Sequence, residues 1–261
     1  MAYTFISGAT GGIGKAFVLE CAKRGYDLFL TGRSQDKLDL LKEKILAEYK
    51  VNVKCFPCQL TDECDRKELA KHIDENGIKF DRIINVAGVD IQKAFMAYTI
   101  EKVHFQLRVN VEATISLTHE LLNRRAESVE LITVASMSGA SPMPYFALYS
   151  ATKALLINFF TALHYELKKE NVKVTVVMPG AVPTRPDVIE DIKGQGLWGK
   201  LSAKSPEFVA KRSLNAVRKN KVKYIPGGFN KFLNFIMKLV PKGIVLRFIA
   251  NRWKKQTKDA F

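Results

Sequence analysis

Six short apolar runs rich in β-branched and aromatic residues recur along the chain, with longer segments of helical periodicity among them. The runs are YTFIS (3–7), DLFLT (27–31), VNVKCF (51–56), RIINVA (82–87), VELITVAS (129–136) and VKVTVVM (172–178). SQDKLDLLKEKILAEY (34–49) places Leu38, Leu41, Ile45 and Leu46 on one helical face. TDECDRKELAKHIDENG (61–77) opens on a threonine cap signal and ends in glycine. A third helix is expected over about 98–124, and a fourth runs from ALYSATKALL (147–156) on through INFFTALHYELKKE. Strands alternating with helices build βαβ units. The expected fold is therefore α/β: a doubly wound parallel sheet with helices on both faces. In such sheets ligands bind at the carboxyl ends of the strands, near the point where strand order reverses, so the turns after each strand are where function is sought.

The chain has 261 residues, 47% of them hydrophobic, which suffices for one domain with a full core. Residues 1–228 read as that domain and 229–261 as a basic amphipathic helical extension. No apolar run reaches the ~20 residues of a spanning helix. AYTFIS (2–7) reads as a strand and not as a leader's apolar region, so no signal peptide is expected. Four cysteines do not make a disulfide framework, and a reducing, cytoplasmic setting is expected. The net charge of +15 is unevenly placed. Residues 200–261 hold 16 of the 41 basic residues and 2 of the 26 acidic ones, and so carry +14 of it. Asymmetry of this kind concerns partners more than fold.

The first turn is SGATGGIGKAF. Gly8, Gly12 and Gly14 lead directly into a helix, with Thr10 and Ile13 between them. Such a turn lets the backbone approach a diphosphate whose charge sits at the helix N-terminus. A mononucleotide P-loop would need glycine where Ala9 stands and Ser or Thr where Ala16 stands. The turn therefore points to a dinucleotide in a Rossmann-type fold. After the second run come Gly32 and Arg33, where an NAD site would carry an acid. Glycine leaves room there and arginine offers a two-pronged grip on phosphate. The expected cofactor is NADP(H), with Arg33 on the 2′-phosphate and Ser34 and Lys37 assisting.

These residues, together with NVAG (85–88), ASMSG (135–139), YSATK (149–153) and PGAVPT (179–184), resemble the short-chain dehydrogenase/reductase family, in order, over 3–184. Within it the chain is most similar to bacterial 3-oxoacyl and hydroxysteroid reductases. The resemblance implies that Asn85, Ala87 and Gly88 line the adenosine ribose side. It makes Asn110 the asparagine that holds a proton-relay water, Ser136 the serine that orients the carbonyl, Tyr149 the acid/base and Lys153 its partner. Tyr149 and Lys153 would also touch the cofactor, and Pro179, Gly180, Val182 and Thr184 would hold the nicotinamide end. One position departs from the pattern: Gln59, beside Leu60, stands where the family commonly has an adenine-binding aspartate. An amide still donates and accepts, so altered adenine contacts are expected there. A homodimer or homotetramer built on the long helices is also implied.

The chemistry can be argued without the family. Reducing a ketone needs a hydride on carbon and a proton on oxygen. Free tyrosine, with pKa about 10, gives up its proton reluctantly near neutrality. Four residues of helix put Lys153 on the same face as Tyr149. At about 4 Å and an effective dielectric near 20, two unit charges interact by about 4 kcal/mol. That would lower the tyrosine by up to about three pKa units before desolvation opposes it. Ser136 would hydrogen-bond the developing oxyanion. All four residues being present favours an enzyme over a non-catalytic NADP-binding or scaffold protein on the same fold.

Other features carry less. Cys55 and Cys58 form a C-x2-C without a second pair, and read as free thiols. His72, His104, His119 and His164 lack metal spacing, so no metal is expected. Residues 185–205 are expected to form a substrate lid, in which Trp198 either covers an apolar substrate or fills core under a loop. Met143, Pro144, Tyr145 and Phe146 would add an apolar wall, pointing to a hydrophobic ketone. The extension holds two short helices broken at Pro241-Lys242-Gly243. They fit a peripheral membrane contact, a cap over the substrate pocket or a dimer contact. A nucleic acid partner is not expected, because no binding module accompanies the charge.

Overall fold

The computed structural model describes residues 2–194 and 196–254. Seven strands form one parallel sheet: β1 (Ala2–Ser7), β2 (Leu28–Gly32), β3 (Val53–Pro57), β4 (Lys79–Asn85), β5 (Arg125–Val134), β6 (Val172–Val177) and β7 (Lys223–Tyr224), in the order β3-β2-β1-β4-β5-β6-β7. The order reverses between β1 and β4, so a crevice for a ligand opens at their carboxyl ends. The helices are α1 (Gly12–Lys23), α2 (Gln35–Glu48), α3 (Glu63–Glu75), α4 (Ile100–Leu107), α5 (Ala113–Leu122), α6 (Ala147–Glu166), α7 (Pro186–Gly194), α8 (Gly196–Ser202), α9 (Pro206–Arg218), α10 (Gly228–Leu239) and α11 (Lys242–Trp253).

Neighbouring strand residues face opposite layers, and both layers are buried. Phe5, Ile83 and Leu131 join Leu69, Leu117, Leu156 and Phe160 under α3, α5 and α6. Ile6, Ile84 and Ile132 join Phe17, Leu38, Val209 and Leu214 under α1, α2 and α9. Burial on both faces is why the strands read as continuous apolar runs rather than alternating ones. Phe5, Phe29 and Phe80 meet ring to ring at 5.6–5.8 Å across three adjacent strands.

Some boundaries differ from expectation. Asp62, not Thr61, caps α3, accepting from the Cys64 and Asp65 amides. A carboxylate at that position also favours the positive end of the helix dipole. β5 begins at Arg125, four residues before the apolar run that signalled it, because a parallel partner pairs polar residues as readily. β7 has no counterpart among the expected strands. It is two residues long and exists only through pairing with Val176 and Val177. The expected helix over 98–124 starts after its Thr99 cap and is interrupted by a π-helical segment, Arg108–Glu112.

Candidate active site

At the carboxyl edge of the sheet, Gly8 has φ +64°, and a Cβ there would lie 2.9 Å from Ala87 Cα, so the turn after β1 and the loop after β4 meet backbone to backbone. Ser7 Oγ accepts from the Val86 and Ala87 amides at 3.1 and 3.3 Å, locking that junction. The cap residue of α1, Gly11, offers no side-chain hydrogen bond, and the first turn carries no acid. The exposed start of α1 at Gly12 therefore presents backbone donors that suit a phosphate. Thr184 lies against Gly12, bringing the loop after β6 to the same place.

Arg33 and Lys37 are exposed at the start of α2, beside that turn, while Ser34 caps the helix. Thr10 lies against Gly32. Gln59 is exposed, its backbone N–H donating to Asp65 Oδ2, and Leu60 is buried with its carbonyl held by Arg66. Asn85 departs from the expected lining role for its side chain. Its amide is buried and donates to Thr118 and Thr133 within the fold, so only the backbone of the loop, with Ala87 and Gly88, is left to face a ligand.

The second half of the site gathers around α6. Ser136 follows β5 by two residues and caps a 3-10 turn, accepting from the Ser138 amide at 3.1 Å. The backbone of Met137 donates to Pro179 O, which ties the serine loop to the loop after β6. Gly139 lets α6 lie directly on this loop, since a Cβ would meet the Lys153 carbonyl carbon at 2.6 Å. Lys153 Nζ donates to Val134 O at 3.2 Å and stands 5.6 Å from the Tyr149 ring centroid. Asn110, fully buried on the π-helical segment, accepts from Val89 N at 2.8 Å and donates to Val89 O at 2.9 Å and Thr152 Oγ1 at 3.1 Å. Its side chain is thus an anchor between the β4 loop and α6, with both polar atoms engaged inside the protein.

The electrostatics correct the expectation for Tyr149. Burial pushes its phenol upward, Asp90 adds to this, and the Ser136 hydrogen bond and Arg185 oppose it. The expected lowering by Lys153 is absent from this balance, and burial lowers the Lys153 ammonium itself to about 8, with Asp90 pulling the other way. Desolvation outweighs the attraction between opposite charges for both groups.

Asp90 is absent from the residues expected at the site, and Arg185 is expected only as the first residue of the lid. Arg185 Nη1 bridges to Asp90 Oδ1 at 2.9 Å and Nη2 to Asp187 Oδ2 at 3.1 Å, fastening the start of α7 to the β4 loop. Position after a strand was the available signal for Asp90. Trp198 is neither core nor shown over the site: it is 57% exposed on α8, edge-on to Phe229 at 5.4 Å. The ring over the site comes from the far end of the chain. Phe146 stacks on Tyr149 at 4.4 Å, and Trp253 of α11 stacks on Phe146 at 5.9 Å. Tyr145 beside them holds φ +62°, a strained backbone for a non-glycine residue. Asn230 of α10 is fully buried against Gly180 and donates to Ser202 O and Pro226 O. The extension is thus packed back onto the domain.

Cys55 and Cys58 are free thiols that burial pushes up to about 11 and about 12. His164 is buried against Val174 O, His72 packs on Phe56, and His104 and His119 are exposed.

The family profile of the short chain dehydrogenases matches residues 2–189. The chain belongs to that family. Membership makes it an oxidoreductase. It is 30% identical over 224 residues to a very-long-chain 3-oxoacyl-CoA reductase of Bos taurus, covering 82% of this chain and 68% of that one. It is 31% identical over 181 residues to an 11-beta-hydroxysteroid dehydrogenase-like protein of Arabidopsis thaliana, covering 69% of this chain. The chain spans 58% of that plant protein's length, and 53% of a very-long-chain 3-oxoacyl-CoA reductase of Lodderomyces elongisporus. Among solved structures, a 7beta-hydroxysteroid dehydrogenase shares the fold with a TM-score of 0.85 at 24% identity, over 95% of this chain and 96% of that one. A Sphingobium yanoikuyae short-chain dehydrogenase in complex with NADPH does so with 0.76 at 22% identity, over 100% and 98%.

Proposed function

We propose that the chain is an NADPH-dependent carbonyl reductase, reversible as an alcohol dehydrogenase, acting on a hydrophobic ketone of 3-oxoacyl or steroid-like character. The observation that carries it is the convergence of Ser136, Tyr149 and Lys153 beneath the Phe146–Trp253 stack. A proton donor, a carbonyl-orienting hydroxyl and a cation share one apolar-roofed site. The relatives named 3-oxoacyl-CoA reductases and the NADPH-bound fold neighbour support the substrate class and the cofactor.

NADPH, when bound, supplies the hydride. The chain's own residues do the rest. The helix start at Gly12, Ile13 and Gly14 fits the diphosphate, and Arg33 with Lys37 fits a 2′-phosphate. Pro179, Gly180, Val182 and Thr184 would border the nicotinamide end. Ser136 donates to the substrate oxygen, and Tyr149 delivers its proton to that oxygen as the alcohol forms. A phenol held protonated by burial is suited to donating. Lys153 stabilises the phenolate left behind, and Asn110 fixes the wall that sets their geometry. A dimer fits the exposed groove where Leu107, Val111 and Leu155 meet between α4, the π-helical segment and α6.

The test is Tyr149→Phe. Turnover of a hydrophobic ketone should fall by about 10³-fold, while NADPH binding, followed by its fluorescence, is unchanged. Retained turnover would overturn the assignment.

A further inference from the structure

Three short helices expose large apolar side chains together. Leu197 and Trp198 on α8, Phe232, Phe235 and Leu239 on α10, and Phe248 on α11 are each more than half exposed. The α10 residues recur at spacings of three and four, which is one helix face. The helices are joined into one surface: Trp198 meets Phe229, Asn230 holds Ser202 O, and α10 runs into α11 through Val240 and Pro241. Lys200, Lys231, Lys238, Lys242 and Arg247 are exposed on or between the same helices, none of which contains an acid.

An apolar face of this size needs an occupant, and its charge selects one. A second copy of the same face would bring two strongly cationic segments together, since residues 200–261 carry +14. An anionic lipid surface satisfies both features, burying the aromatic rings and pairing the lysines with headgroups. Spanning is not open to these helices. At 12 residues, α10 and α11 are each about 18 Å long against a hydrocarbon core of about 30 Å. Among the described residues no helix is long and apolar enough to cross a membrane.

We infer that α8, α10 and α11 form an interfacial face that lies in an anionic lipid surface, and that the substrate site is reached from that side. The second clause rests on the reductase reading. The same helices back the site: Trp253 stacks on Phe146 over Tyr149, and Asn230 lies against Gly180. A water-insoluble ketone would then enter from the lipid without crossing bulk water.

Sedimentation of the full chain with vesicles tests the face without requiring turnover, so its failure is distinct from failure of the reductase assignment. Vesicles of phosphatidylcholine with phosphatidylglycerol should carry the protein down, pure phosphatidylcholine vesicles far less, and rising salt should release it. The triple variant Phe232→Ser/Phe235→Ser/Phe248→Ser should lower partitioning by about 100-fold or more. Should that variant lose its cooperative melting curve, Lys238→Glu/Lys242→Glu reads the same face through charge, with an expected drop of about tenfold or more. Equal sedimentation of wild type and variants, or a full chain left in the supernatant with anionic vesicles, overturns the inference. So does a concentration-dependent dimer that the triple variant abolishes in the absence of vesicle binding, which would assign the face to a second copy.

Discussion

Lys153 is nearly fully buried, and its ammonium is lowered from 10.5 to about 8 by that burial. At pH 7 both folded and unfolded chains hold the proton, so the full cost of burying the charge is present. It is relieved only as pH rises from about 8 to about 10.5, where the unfolded chain binds more protons and stability climbs. Two and a half pKa units correspond to about 3 kcal/mol, partly offset by the bond to Val134 O. Lys153→Met should therefore gain about 2 kcal/mol in urea unfolding at pH 7 and lose reductase turnover together. A variant that loses stability there would show that the bond to Val134 O and the packing of the side chain outweigh the cost of burying the charge. Arg33 is the converse case, an exposed side chain whose expected grip is made only with ligand. Arg33→Asp should leave stability unchanged and move the NADPH/NADH ratio of kcat/KM by about 100-fold towards NADH, because a charge-assisted hydrogen bond to the 2′-phosphate gives way to repulsion between like charges. An unaltered ratio would remove Arg33 from the 2′-phosphate site.

The π-helical segment Arg108–Glu112 is the element on which the site turns. A regular helix over 98–124 would advance Asn110 by about 3.6 residues per turn with its neighbours. The extra residue per turn re-aims one side chain, as such bulges do at functional sites. Asn110 thereby satisfies both backbone groups of Val89, itself buried. Asn110→Ala would strand the buried Val89 N–H and leave Val89 O only the 3.5 Å bond from Gln106 Nε2, and should cost about 1–3 kcal/mol in denaturant unfolding while depressing turnover. Loss of turnover with unchanged stability would instead point to a role confined to the reaction. The helix itself was visible in the apolar spacing of the sequence. The bulge was not, because the partners Asn110 meets there, Val89 and Thr152, lie 21 and 42 residues away along the chain.

At the scale of the whole molecule, the described part of the cationic extension packs against the candidate site, through Asn230 on Gly180 and Trp253 on Phe146. The extension's helices, their break at Pro241 and their charge all stand in the sequence, yet membrane contact, pocket cap and dimer contact were equally compatible with them. Packing shows that α10 and α11 back the site on one side and leave apolar rings exposed on the other. The sequence alone determined the alternating βα order, the parallel sheet, the glycine turn and the Tyr149–Lys153 pair. Each of these is written in local periodicity or spacing, where a few neighbouring residues decide the outcome. Only the tertiary structure decided that Asn85 turns inward, that Arg185 bridges Asp90 and Asp187, that Trp253 and not Trp198 joins the aromatic stack over Tyr149, and that burial dominates the electrostatics of Tyr149 and Lys153. Those are contacts between segments far apart in the chain, and their energies depend on how much water the whole fold removes.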